Sequence, residues 1–446
     1  MDTPSAPPPA QRSAFASLSM MMFLQYAVWG AWLPYLAKYL TGPVAEGGLG
    51  FTNGQMGWII GMAASIGAAS APFLGGQIAD RFMNAEKYLG ILLILGGMVK
   101  LSTYYVKDYN TFLLLSILYS ITYMPTLSLT NSIAFANLRS PEKQFPPVRT
   151  WGTIGWIVAS TLFPLIWLQT NLQGTVLPPF VEGTPKPNAT HLWGDCLRVS
   201  GAISILYGLW AMLFLPKTPP THSAKSPFAV FEAFSLLKRR GFLVATIAAL
   251  PISMIHQVYF MRTANFITYL GFADAHVGAI MSIGQYAEII VLAVLGLFLS
   301  RIGFRWVLTL GALSFAARYA IFAMLTPETK HLMLAAMTLH GLCYGFFFAG
   351  AYVFVEKVAP KDIRHSAQTV FGIIILGLGP VLAGLYNQWL DSYAITSTTG
   401  VDGVTTVTNW PRLWFVQAAL GLASALIVAL FFGPSLRTEP SARAAA

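Results

Sequence analysis

Twelve apolar runs, separated by polar or Gly/Pro-containing loops, occupy most of this chain, from Leu18–Leu40 at one end to Leu413–Phe432 at the other. Roughly 20 apolar residues cross ~30 Å of hydrocarbon as a helix. Hydrocarbon holds no water to satisfy backbone N–H and C=O groups, so a spanning segment is a helix or part of a closed barrel. The residue-by-residue alternation that a barrel strand needs is absent. The chain therefore reads as an all-α polytopic membrane protein with twelve transmembrane helices. Its composition agrees, since only 10% of its 446 residues are charged, against roughly a quarter in soluble proteins.

Charge gives the orientation. With the N-terminus placed inside, eighteen Lys and Arg fall in inner loops and tails and seven, Lys100 among them, in outer loops. That bias predicts both termini in the cytoplasm. It also accounts for the net charge of +10 through anionic headgroups, making the lipid bilayer, and no nucleic acid, the expected partner. The Pro-rich start, MDTPSAPPPAQRSAF, leads into the first span without an A-x-A cleavage site, so the first helix is expected to stay. Cys196 and Cys343 lie in an outer loop and in span ten and are not expected to pair. With no metal-ligand spacing, phosphate loop or Ser-His-Asp array, the chain is read as no enzyme, without metal or cofactor.

The longest inner loop, PKTPPTHSAKSPFAVFEAFSLLKRRG, divides the spans six and six. The expected organisation is a first bundle over residues 1–215, a linker over 216–241 and a second bundle over 242–446. Within the linker, FAVFEAFSLL followed by Lys238, Arg239 and Arg240 fits either an amphipathic helix on the membrane surface or a solvated linker helix.

Glu288 is the only acidic residue deep inside an apolar run, VGAIMSIGQYAEIIVLAVLGLFL. A charge at the bilayer centre costs at least ~2.5 kcal/mol, so such residues usually face a cavity and mark an ion, proton or substrate path. Gln285 is three residues away and shares its helix face. In span five, Pro146 and Pro147 suit a helix start and would place Arg149 one turn inside. Thr153, four residues on, shares the Arg149 face. A guanidinium with five donors beside a hydroxyl suits the hydroxyls and carbonyls of a polar solute; the plain reading is an Arg149 that snorkels to the headgroups. Span seven carries His256, Gln257, Tyr259, Arg262 and Asn265.

Two further patterns bear on identity. Gly76-x-x-x-Asp80-Arg81 after span two, and Gly296-x-x-x-Ser300-Arg301-x-Gly303-x-Arg305 after span eight, resemble the loop signature of the major facilitator superfamily and its weaker copy. This resemblance implies the major facilitator fold, two six-helix bundles rocking about a central site, with Asp80, Arg81 and Arg301 as a conformational latch. Within span four and the start of span five, YMPTLSLTNSI and FPPVRTWGTIGW resemble the nucleoside:proton symporter family of that superfamily, as do FLQYAVWGAWL, IMSIGQYAEIIVL and VFVEKVAPKDIRHSAQ elsewhere.

The family resemblance implies a proton-coupled importer of purine and pyrimidine nucleosides in the inner membrane, working as a monomer. It implies that Arg149 and Thr153 bind nucleoside, that Gln285 and Glu288 line the cavity, and that span seven adds polar ligands, Gln257 first and Asn265 after it. Trp156 and Tyr344 are the rings to set against a base. The chain departs from the family in span ten, where His340 replaces a Tyr and Tyr344-Gly345 replaces a Phe-Asp pair. Without that Asp, Glu288 and His340 are the candidate titrating groups. The change also keeps open an uncoupled facilitator, or a symporter of a sugar or nucleobase. Arg318 in span nine is expected to be a structural or snorkelling residue on a peripheral helix.

Overall fold

The computed structural model describes residues 9–71, 74, 82–174, 181–220, 235–359, 364–400 and 403–433. Nine segments among them are long and apolar enough to cross a membrane. One of these, Asp274–Met324, holds two spans, broken at Gly303 by a φ of 74° that an L side chain rarely adopts. Residues 53–71 and Ala85–Tyr104 supply two further helices, which completes twelve. In order they are α1 (Ala14–Thr41), α2 (residues 53–71), α3 (Ala85–Tyr104), α4 (Tyr109–Asn137), α5 (Gln144–Trp167), α6 (Asp195–Phe214), α7 (Arg240–Tyr269), α8 and α9 (residues 277–302 and 304–324), α10 (Leu332–Val358), α11 (Val370–Ala394) and α12 (Trp410–Phe431). Asp80, Arg81 and most of the linker, residues 221–234, lie outside the described residues.

Away from their ends, α3, α6, α8 and α12 expose large apolar side chains, for example Leu95, Leu206, Ile290 and Leu430. A soluble protein hides such a surface, whereas a bilayer solvates it. Helices in hydrocarbon gain little from hiding apolar groups and associate through close packing. α3 and α6 show how close: a Cβ on Gly97 would lie 2.8 Å from the Gly201 carbonyl oxygen, and one on Gly90 would lie 2.8 Å from that of Gly208. Two glycines seven residues apart on each helix thus put main chain against main chain. Two antiparallel hairpins not foreseen as strands, Gln169–Gly174 with Val181–Pro185 and Ile395–Gly400 with Gly403–Thr408, follow α5 and α11.

Among the described residues, the halves meet at one end only. The Oγ atoms of Ser160 on α5 and Ser282 on α8 are 3.0 Å apart. Lys38 at the end of α1 reaches the Thr268 hydroxyl on α7 and pairs with Asp274 before α8. Asn387 Nδ2 on α11 donates to the Asn53 carbonyl on α2 at 2.8 Å, behind the ion pair of Arg262 with Asp391. Deeper in, the Ser65 hydroxyl donates to the Gly377 carbonyl at 2.5 Å. Along the α2–α11 seam a Cβ on Gly57 would be 3.0 Å from the Gly384 oxygen, and one on Gly61 would overlap the Pro380 oxygen. Most of these groups lie toward the ends of odd-numbered helices and the starts of even-numbered ones. At the opposite end no hydrogen bond or ion pair joins the halves among the described residues.

Candidate functional site

Between the halves lies a cavity of about 240 Å³. From α5 come Arg149, Thr153 and Trp156, from α7 His256 and Gln257, from α8 Gln285 and Glu288, and from α10 His340 and Tyr344. Of the residues nominated from sequence as substrate contacts, Asn265 alone is not on its wall; it is half-buried two turns beyond Gln257 on α7. Arg301 is exposed in the last turn of α8 and makes no ion pair among the described residues. The helix around Arg149 begins earlier than expected, at Pro141, so Pro146 and Pro147 lie inside it. Arg149 does not snorkel; its guanidinium lies 4.2 Å from the centre of the Tyr26 ring.

The polar groups of this cavity are short of partners. Glu288 is 7% exposed and its carboxyl makes no hydrogen bond or ion pair with any described residue, so it does not tie α8 to a neighbour. The charged group that acts on it through space is Arg149. Gln285 Oε1, His256 Nδ1 and Trp156 Nε1 are likewise buried without a hydrogen bond. Buried polar atoms are nearly always satisfied, so several orphans around one space mark a place where a solute or water completes them. Three stretches of widened, π-type helix face the same space, through Ile60 on α2, Tyr344 and Phe348 on α10, and Ile375 on α11; such widenings recur at functional sites.

Arg318 departs most from expectation. It is wholly buried and reaches the back of the cavity wall. One guanidinium nitrogen is 2.6 Å from His340 Nδ1 and another donates to the Tyr319 hydroxyl at 3.0 Å, while its plane lies over the Tyr259 ring. A guanidinium only donates, so His340 Nδ1 accepts and the ring carries its proton on Nε2. His256 stacks on this ring with centroids 5.6 Å apart.

Sequence reasoning missed Tyr26 and Trp29 on α1, which also line the cavity. Trp29 packs edge-on against Trp156, with centroids 6.0 Å apart. The signal was present: Tyr26, Trp29 and Trp32 recur every three residues, one face of a helix. Lys100, counted from sequence with the outer loops, lies within α3 and is 5% exposed.

Two antiparallel-meeting sets of six helices, sealed at one end around a central polar cavity, define a transporter of the major facilitator fold. The sequence model of the family described as nucleoside H+ symporter matches residues 13–437, and the chain belongs to that family, which is one of transporters and not of enzymes. Among its relatives, YegT of Escherichia coli (strain K12) is 32% identical over 429 residues, 94% of each chain. The xanthosine permease of the same organism is 28% identical, over 95% of this chain and 96% of the permease. A crystal structure of the nucleoside transporter NupG superposes with a TM-score of 0.76 at 25% identity, covering 94% of this chain and 99% of that one.

Proposed function

We propose that this protein imports nucleosides, purine and pyrimidine, together with protons across the inner membrane by alternating access, as a monomer with both termini in the cytoplasm. The observation that carries this reading is the Glu288 carboxyl, buried, unpartnered and facing a solute-sized cavity that Arg149 shares. Its neighbours Gln257, Gln285 and Thr153 offer amides and a hydroxyl, groups that match ribose hydroxyls and base edges. Trp156 and Tyr344 supply ring faces. His340, held by Arg318, acts as an Nε2–H donor toward the solute, which leaves Glu288 as the group that takes up and releases the proton. Coupling follows if proton and nucleoside each favour the same state of the rocking equilibrium. The halves-together end is then the outer gate, closed here, with the cavity reached from inside.

A second reading, an uncoupled facilitator or a symporter of another small polar solute such as a sugar or nucleobase, is favoured by Gly345. A Cβ there would lie 2.7 Å from the Val291 side chain, so the site has no room for the family's Asp. Uptake of labelled uridine and adenosine into proteoliposomes, with and without an inward proton gradient, tests both. Gradient-driven accumulation that Glu288→Gln abolishes while exchange persists supports the symporter. Uptake indifferent to the gradient supports the facilitator, and absence of nucleoside uptake overturns the substrate.

A further inference from the structure

Beside the solute cavity is a smaller pocket of about 40 Å³ with which it shares part of its wall, Trp29 and Trp32 included. The transport reading makes no use of it. Its distinctive residue is Lys100, whose ammonium lies 3.3 Å from the centre of the Trp32 ring and 3.9 Å from that of Tyr119. No hydrogen bond or ion pair to this ammonium exists among the described residues, and no acidic residue lines the pocket. Ring faces attract a cation through their quadrupole but carry no net charge, whereas a buried ammonium is ordinarily held by a counter-charge and hydrogen bonds.

Three more polar atoms of the same wall are buried without a hydrogen bond of normal geometry: Trp32 Nε1, the Tyr119 hydroxyl oxygen, which has Trp32 and Ser200 near it, and Ser120 Oγ. An indole N–H only donates, and a phenol or serine hydroxyl can donate. A cation beside three groups able to donate, with no carboxylate on the wall, forms the complement of an anion. A pocket of about 40 Å³ holds a few waters' worth of matter, which suits a halide or a single carboxylate head and excludes a nucleoside.

We propose that Lys100, Trp32, Tyr119 and Ser120 form a site for one small monovalent anion next to the solute cavity. The anion has two possible sources, a free halide or a carboxylate carried on the solute, and the experiment separates them. The unfolding midpoint of the purified full-length protein is measured in sodium chloride against sodium gluconate at equal ionic strength, for the parent, Lys100→Met and Ser120→Ala. Saturating chloride is expected to raise the parent midpoint by on the order of 2 °C. Lys100→Met should abolish the shift, and Ser120→Ala, which keeps the ammonium, should raise the half-saturating chloride roughly tenfold. If chloride does nothing, uridine 5′-carboxylate is compared with uridine; a larger shift from the carboxylate, lost in Lys100→Met, assigns the anion to the solute. Shifts that persist in Lys100→Met, or no shift from either probe, overturn the proposal. Should Lys100→Met fail to fold, the Ser120→Ala titration decides alone. The chloride arm needs no nucleoside, so it stands or falls independently of the proposed substrate.

Discussion

Asn387 is one of the side chains that join the halves at the closed end. Its Nδ2 donates across the seam to the Asn53 carbonyl at 2.8 Å, and its Oδ1 accepts from Arg262 Nε at 2.7 Å within the second half. In Asn387→Ala the second loss is common to both states of the switch. It lowers overall stability by about 1–3 kcal/mol, the cost of an orphaned buried donor, but leaves the switching ratio alone. The first loss exists only in the state described here, because opening the seam exposes the Asn53 carbonyl to water. A net hydrogen bond is worth about 1 kcal/mol, so the open-to-closed ratio should rise about fivefold. A protein that is roughly 10:1 closed would become roughly 2:1. Spin labels on cysteines introduced at Glu46 and Ser392, exposed on the two halves at this end, would read the two populations as two distances. The native Cys196 and Cys343 are fully buried and should stay unlabelled. Tyr319→Phe, which removes hydrogen bonds to Arg318 and the Ile255 carbonyl wholly inside the second half, serves as the control that moves stability and not the ratio. A ratio unchanged within about twofold in Asn387→Ala, or changed equally in the control, would refute the reasoning.

Gly97→Val should cost about 1–3 kcal/mol through overpacking, since its Cβ alone would sit 2.6 Å from Ile205 Cγ1 and 2.8 Å from the Gly201 oxygen; a lower unfolding midpoint checks it, while the same change at exposed Leu95 should be nearly silent. Arg318→Met strands His340 Nδ1 and should destabilise by about 1–3 kcal/mol. Its effect on nucleoside affinity should vanish in a His340→Gln background, where the amide N–H needs no partner to fix its proton, and a double-mutant cycle of binding constants reads that coupling.

The spans were legible because hydrocarbon imposes one rule on every one of them, and the pairs Arg149/Thr153 and Gln285/Glu288 because helical spacing alone puts each pair on one face. What escaped the sequence depends on which helix stands behind which. Arg318 looked peripheral since its span is peripheral in this fold, yet a long side chain reaches from α9 to the back of His340. Lys100 looked like a loop cation because a lysine near the end of an apolar run normally reaches water; only the tertiary placement of Trp32 and Tyr119 shows what surrounds it. Asn265 stands off the wall for the converse reason: α7 extends beyond the cavity, and a polar residue two turns past Gln257 lies level with the sealed end, between Arg262 and Thr268.

The α2–α11 seam is closed largely by main chain, with Gly57 and Gly61 set against the carbonyls of Gly384 and Pro380. Carbonyl oxygens and α-carbons have the same chemistry whatever the neighbouring side chains are. A gate built from them does not need to be redesigned when the residues around the solute change. Descendants of such a chain are free to trade His340 or Tyr344 for other groups and acquire new cargo, while the door that admits it keeps working unaltered.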